Sequence, residues 1–329
     1  MPATTESAAA PSPPTIPVTL VAGYLGAGKT TWLNRKLRAG VAPGTLVLVN
    51  DFGAINVDAE LIDYRSDRLL SLDNGCLCCS LNGALGAQLS RIARWPEPPT
   101  ALIIETSGVA LPGRIADMVR VARQFHLAEI VTLVDLDALS RHRQDRRIAD
   151  LVEVQIAAAD RLSLNRDDRL AGDELASAGR WLASINPHAI REPRSDDTAV
   201  EPCLPDNPDV ESRATRLPLH RAVPIDAPTW RRFTCRLNAI SERNELETLL
   251  AKHASAVARA KGFLQVGNRH FTFHWSGGRA SWTPAAPRTG AAAGQLVGIG
   301  FAGTHLDTLL DALAELSTPT PTERHRSEH

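Results

Sequence analysis

Residues Gly23-Tyr24-Leu25-Gly26-Ala27-Gly28-Lys29-Thr30 fit the spacing G-x-x-x-x-G-K-[ST] and lie between an apolar run and an amphipathic one. Glycines let such a loop curl tightly enough for successive backbone N–H groups to point inward at phosphate oxygens. Lys29 would reach the β- and γ-phosphates and Thr30 would offer its hydroxyl to Mg2+, while the start of the next helix adds a partial positive charge. The expected phosphate-binding residues are Gly23, Gly26, Ala27, Gly28, Lys29, Thr30 and Thr31. A chance glycine loop with a surface lysine is the competing reading, and the placement between a strand and a helix disfavours it.

Chemistry at a bound triphosphate also needs a carboxylate at the end of a neighbouring buried strand, to hold Mg2+ through water. Glu105, which ends Ala-Leu-Ile-Ile-Glu, fits. In the following Thr106-Ser107-Gly108, Gly108 has no side chain to keep its N–H from the γ-phosphate. Asp51, in Asn50-Asp51-Phe52-Gly53, would stand near the metal, although by itself it reads as an ordinary turn residue. The expected catalytic set is Lys29, Asp51 and Glu105, with Thr30, Asp51 and Glu105 at Mg2+.

Leu164-Asn165-Arg166-Asp167-Asp168 follows a later strand and resembles the guanine-reading pattern N-K-x-D, with Arg166 in place of lysine. A carboxylate at Asp168 can accept from both the N1–H and the exocyclic amine of guanine, a pair adenine does not offer. Arg166 could lay its flat head or its stem over the base. Asn165, Arg166 and Asp168 are therefore the expected base-binding residues, and GTP the expected nucleotide.

Gly75-Cys76-Leu77-Cys78-Cys79 brings three thiols within four residues. Thiolates are soft ligands that favour Zn2+ and related late transition metals, and a tight turn could converge Cys76, Cys78 and Cys79 on one ion. Three sulfurs leave one tetrahedral position for water, another ligand or a partner. Buried apolar cysteines and a redox pair are the alternatives, and the second stays open at this point.

These residues need elements to position them. From Ile16 to about Arg194 short apolar runs alternate with amphipathic ones, the pattern of βα units around a parallel sheet. The expected strands are Val18 to Ala22, Leu46 to Val49, Leu69 to Leu72, Ala101 to Glu105, Ile130 to Val134 and Arg161 to Leu164. The helices expected between them are Thr30 to Arg38, Leu81 to Arg94, Arg114 to Phe125, Ala138 to Ala158 and Leu170 to Ile185. Residues 195–228, dense in Pro, Asp, Arg and Ser, read as a linker. Residues 229–318 then suggest a smaller α+β domain, with five strands around Phe233 to Leu237, Gly262 to Val266, His270 to Trp275, Ala280 to Trp282 and Gln295 to Ile299. Its helices are Glu242 to Ala254 and Leu306 to Leu316. The expected fold is thus α/β: a P-loop NTPase domain with a mainly parallel sheet over 16–194, then the α+β domain. A disordered lead covers 1–15 and a polar tail 319–329.

The 329 residues suit about two domains. With 36 basic against 37 acidic side chains there is no global field to draw in nucleic acid or an anionic membrane, and no apolar run approaches a membrane span. Only four of the basic residues are lysine, and the run Arg141 to Arg147 reads as a solvated helix face. The clustered cysteines and the absence of a signal-peptide pattern lead to the expectation of a cytoplasmic protein. No role is assigned to Cys203, Cys235, His270, His274, His305, His325 or His329.

In this order, Gly23 to Thr31, Asn50 to Gly53, Gly75 to Cys79, Glu105 to Gly108 and Leu164 to Asp168 resemble the CobW family of P-loop GTPases. Arg259 to Leu264 and Gln295 to Gly300 resemble that family's C-terminal domain. The resemblance implies a GTP-hydrolysing metal chaperone or insertase that carries zinc, or cobalt, at the cysteine motif and delivers it to a metal-requiring client protein under nucleotide control. A homo-oligomer is compatible with it, and no nucleic-acid or membrane partner is expected. The departures are Asp51 and Ala54 where members commonly carry glutamates, Arg166 for lysine, and Gln265 where tryptophan is frequent. A histidine-rich stretch is also missing, which argues against storage. Alternatives are a GTP-dependent binding switch with structural or redox cysteines, and a P-loop kinase.

Overall fold

A computed structural model describes residues 15–49, 69–71, 81–193, 229–237, 240–287 and 293–316. The first part of the chain runs β1 (Ile16–Ala22), α1 (Lys29–Ala39), β2 (Thr45–Val49), β3 (Leu69–Ser71), α2 (Leu81–Ile92), β4 (Ala101–Glu105), α3 (Pro112–Val121) and β5 (Phe125–Asp135). It continues with α4 (Leu136–Gln144), α5 (Ala149–Ala157), β6 (Arg161–Asn165), α6 (Gly172–Ile185) and β7 (Ile190–Pro193). The strands form one sheet in the order β3-β2-β4-β1-β5-β6-β7, and every pairing is parallel.

β2 is buried along its whole length, and β1 and β4 nearly so, because helices cover both faces of the sheet. Alternation along the strands sorts the two layers. Leu20, Leu46, Leu48, Leu102 and Ile104 meet Leu85, Leu89, Ile115 and Val119 of α2 and α3 on one face. Val21, Val47, Val49 and Ile103 meet Leu33 and Leu37 of α1 on the other.

Three features depart from the expected elements. The single helix expected over Ala138 to Ala158 is two, α4 and α5. Asp145 breaks it: its carboxylate accepts from the Arg147 N–H at 3.0 Å and its carbonyl from the Ile148 and Ala149 N–H groups, so local bonds replace a helical turn. The helix expected to reach Phe125 stops at Val121, because Phe125 pairs with Ile16 and packs in the sheet core. The edge strand β7 was not foreseen. It is only four residues, Ile-Arg-Glu-Pro, and its proline is tolerated because one side of an edge strand needs no donor.

The second part holds β8 (Trp230–Arg236), α7 (Arg243–Lys252), β9 (Val257–Val266), β10 (Arg269–Ser276), β11 (Arg279–Pro284), β12 (Gln295–Phe301) and α8 (Thr304–Leu316). Its strands form an antiparallel sheet in the order β11-β10-β9-β12-β8, with Leu246, Leu250, Leu306, Leu309 and Leu313 of α7 and α8 packed on one face. Ile299, Trp230 and Phe301 join the cluster that holds Leu139, Leu151 and Ile156 of α4 and α5, so the two sheets share an apolar contact. The Arg141 to Arg147 segment is therefore not simply a solvated face. The Arg147 guanidinium lies 4.0 Å from the Phe301 ring centroid and donates to the Ser255 carbonyl at 2.6 Å.

Candidate functional site

β1 lies between β4 and β5, and the loop leaving its carboxyl end occupies the crevice where ligands of such sheets bind. Gly23 there has φ +130°, and a Cβ on it would stand 2.4 Å from the Leu133 carbonyl oxygen, so only glycine can form this wall. Lys29 is 4% exposed, and its ammonium donates to the Gly23 carbonyl at 2.9 Å and the Tyr24 carbonyl at 3.3 Å. A buried ammonium held on loop carbonyls is suited to transfer onto an arriving anion.

Thr30 donates its hydroxyl to Glu105 Oε1 at 2.8 Å, and Glu105 is 3% exposed. The register explains the meeting: β1 and β4 pair Val21 with Glu105, one residue before the end of β1. A hydroxyl and a buried carboxylate oxygen in contact are the hard oxygen donors that Mg2+ prefers, so the residues present fit that ion. Gly108 closes the other side. A Cβ there would fall 2.7 Å from the Leu25 nitrogen, so Gly108 lies directly against the phosphate loop.

The residues expected to bind the base lie at the end of β6 and just after it. Asn165 donates through Nδ2 to the Ala27 carbonyl at 3.0 Å, joining this segment to the phosphate loop, and its Oδ1 is buried without a donor among the described residues. Asp168, in the short 3-10 turn after Asn165, is exposed. Arg166, the one non-glycine residue with positive φ among those described, at 61°, is ion-paired with Asp135. Its head is engaged, which leaves the stem as the part that can flank a base. Ala27 and Gly28 lie in the loop, Gly28 as the cap of α1, and Thr31 lies in the first turn of that helix.

Two contributors were missed in the sequence. Asp135 ends β5, caps α4 by accepting from the Ala138 N–H at 3.3 Å, and is drawn to Arg166 because β5 and β6 pair Asp135 with Asn165. Burial raises its pKa above the ordinary carboxylate value, with Arg166 opposing. A carboxylate at a strand end, as at Glu105, was the available signal. Gln155 on α5 is 1% exposed and donates to the carbonyls of Gly108 at 3.1 Å and Ala110 at 2.9 Å. Its signal was a lone amide among Leu151, Val152 and Ile156.

Asp51 and the cysteines Cys76, Cys78 and Cys79 lie outside the described residues, as do Cys203, His325 and His329. Among the described residues no group of three or more His, Cys, Asp or Glu side chains is placed to hold a metal ion, and no helix is long and apolar enough to cross a membrane.

The CobW/HypB/UreG nucleotide-binding domain matches residues 17–191. The chain belongs to the CobW/HypB/UreG family. Residues 230–316 match the cobalamin synthesis protein CobW C-terminal domain. A zinc chaperone CobW of Pseudomonas aeruginosa is 29% identical over 207 residues, 54% of this chain and 55% of that protein. The zinc chaperone YjiA of Escherichia coli is 34% identical over 182 residues, 53% of this chain and 56% of that one. A zinc-regulated GTPase metalloprotein activator of Schizosaccharomyces pombe is 30% identical over 181 residues, 52% of this chain and 44% of that one. The chain thus spans about half the length of these relatives.

One property of this family member follows from the wall of the loop. The Tyr24 ring meets His142 of α4 edge-on, centroids 4.8 Å apart. Burial, helped by Arg141, lowers the His142 pKa from 6.5 to about 4, so the folded protein holds it neutral. Between those values the unfolded chain takes up a proton that the folded one refuses, so stability falls as pH drops from about 6.5 to 4, by at most about 1.4 kcal/mol per unit. Melting temperature against pH is expected to slope less in His142→Phe than in the unmutated protein over that window. Parallel curves would contradict it.

Proposed function

We propose that this chain binds and hydrolyses GTP and handles a transition metal, zinc first and cobalt second, passing it to a metal-requiring client under nucleotide control. The observation that carries the reading is the joining of three motifs at one sheet edge. Lys29 and Thr30 stand with Glu105, and Asn165 reaches from the base-reading segment to the phosphate loop at Ala27.

In this reading Lys29 leaves the loop carbonyls for the β- and γ-phosphates, and the Gly108 N–H meets the γ-phosphate. Mg2+, held by Thr30 and Glu105 with Asp51, neutralises phosphate charge when bound. Gln155 fixes the carbonyls of Gly108 and Ala110, so that segment answers the nucleotide together with α5. Asn165, Arg166 and Asp168 take the guanine. The metal is cargo on Cys76, Cys78 and Cys79. Support for coupling comes from where that segment starts: Ser71, Val49 and Glu105 stand in one row across β3, β2 and β4. The chain sets out toward the cysteines from the edge that holds Glu105. The relatives' names, zinc chaperone and zinc-regulated GTPase, support the metal.

The base carries the most discriminating test of the nucleotide. Competition against labelled GDP is expected to rank GTP well ahead of ATP. Asp168→Asn should cost about 1.5–3 kcal/mol for a lost charged hydrogen bond, or roughly 10- to 150-fold in GTP affinity. Xanthosine triphosphate, whose second carbonyl accepts from an Asn amide, should bind the variant better than GTP. Equal binding of ATP and GTP by the unmutated protein would refute the guanine assignment.

A further inference from the structure

Among the described residues, the second sheet reaches the nucleotide site through the tip of one hairpin. β10 and β11 are joined through Gly277 and Gly278, with φ of +58° and +77°, the left-handed pair that makes a two-residue hairpin turn. Three contacts hold this tip against the phosphate loop and α4 at the first sheet's carboxyl edge. Ser276 stands on the phosphate loop, where a Cβ on Gly26 would fall 2.1 Å from the Ser276 hydroxyl oxygen. The Gly277 carbonyl accepts from Arg141 of α4 at 3.2 Å. Arg279 donates to Asp137 Oδ2 at 2.8 Å, and the same oxygen receives Arg169 at 3.4 Å. Arg169 belongs to the 3-10 turn that carries Asp168.

We propose that the β10–β11 tip is a positioning element of the nucleotide site, pressing on the phosphate loop through Ser276, tethering the base-reading turn through Arg279–Asp137–Arg169, and so setting how long a bound nucleotide stays. The proposal rests on the guanine-nucleotide reading above and adds its regulation. For the nucleotide to leave, the base-reading turn must move away from the phosphate loop. Asp137, in the first turn of α4, holds Arg169 of that turn and Arg279 of the tip on one oxygen, so the turn leaves only by breaking its pair there or by carrying the start of α4 and the tip with it. The apolar contact of Ile299, Trp230 and Phe301 with α4 and α5 keeps the second sheet seated, so the tip resists. Anything that draws the second domain aside then frees the nucleotide, which would let a client on that domain trigger exchange.

Asp137 is shielded more than its partners, with a side chain 20% exposed against 57% for Arg279 and 49% for Arg169. Such pairs contribute modestly and are screened by salt. The expected change is therefore in rate and limited in size. In the full chain loaded with GDP carrying a fluorescent ribose label and chased with unlabelled GDP, Arg279→Glu should speed release about three- to tenfold. Association should stay within about twofold. Raising the salt from about 0.05 to 0.5 M should speed release from the unmutated protein more than from Arg279→Glu. Ser276→Leu, which lifts the tip at Gly26 while keeping the charge of Arg279, should also speed release. Unchanged release in both variants would overturn the proposal, as would an effect confined to association. If the unmutated protein fails to bind labelled GDP at all, the guanine reading itself falls, and the proposal with it.

Discussion

Lys29→Ala is expected to cut affinity for GTP and GDP by about 30-fold to a few thousandfold, the loss that follows removal of one partner of a buried charge pair, about 2–5 kcal/mol. The reason lies in where the ammonium waits. It is buried and held by the Gly23 and Tyr24 carbonyls, so its charge is already desolvated when phosphate arrives. Lys29→Arg should not restore binding, because the planar guanidinium cannot replace a compact ammonium inside a closed loop. Thr30→Ala separates the two contributions. Its hydroxyl faces Glu105, so the variant should lose the Mg2+-dependent part of the affinity and keep the part measured in chelator. Calorimetry with and without Mg2+ checks both. Full affinity in Lys29→Ala would remove the phosphate-loop assignment.

How much of this was legible in the sequence depended on how local each contact is. The phosphate loop and Glu105 were readable, because glycine spacing and a carboxylate closing an apolar strand are local signals that the parallel pairing of β1 and β4 then brings together. The cover of the site was not. The engagement of Arg166 by Asp135 depends on the register of β5 against β6, and the hold of Gln155 on Gly108 depends on how α5 lies across the sheet. The break at Asp145 was hidden because its side chain competes with the helix for N–H groups, which apolar periodicity does not record. The seat of Ser276 on Gly26 joins two domains remote in sequence, and no local pattern marks it.

The second large effect concerns the proposed metal cargo. Changing Cys76, Cys78 and Cys79 together to serine is expected to lower zinc affinity by several orders of magnitude, since thiolate-rich zinc sites supply about 10–16 kcal/mol through these ligands. Binding should weaken toward acid pH as thiols with pKa near 8.5 compete for protons. Nucleotide binding in the serine variant should remain near that of the unmutated protein in the absence of metal, because the phosphate loop, Glu105 and the base-reading turn are untouched. Tight stoichiometric zinc binding by the variant would move the cargo site elsewhere.

In the proposed function one protein ties the nucleotide and metal sites together, and linkage makes that tie measurable. If GTP tightens metal binding by some factor, metal must tighten GTP binding by the same factor, and coupling of about 1–3 kcal/mol, roughly 5- to 150-fold, is the usual range. The direct measurement is a titration of Zn2+, and in parallel Co2+, into the full chain saturated with GDP and then with a non-hydrolysable GTP analogue, matched by titration of the analogue with and without zinc. Zinc is expected to bind at least about fivefold tighter with the GTP analogue, with the same factor in the reverse titration and neither in the serine variant. Equal zinc affinity in the two nucleotide states would contradict it.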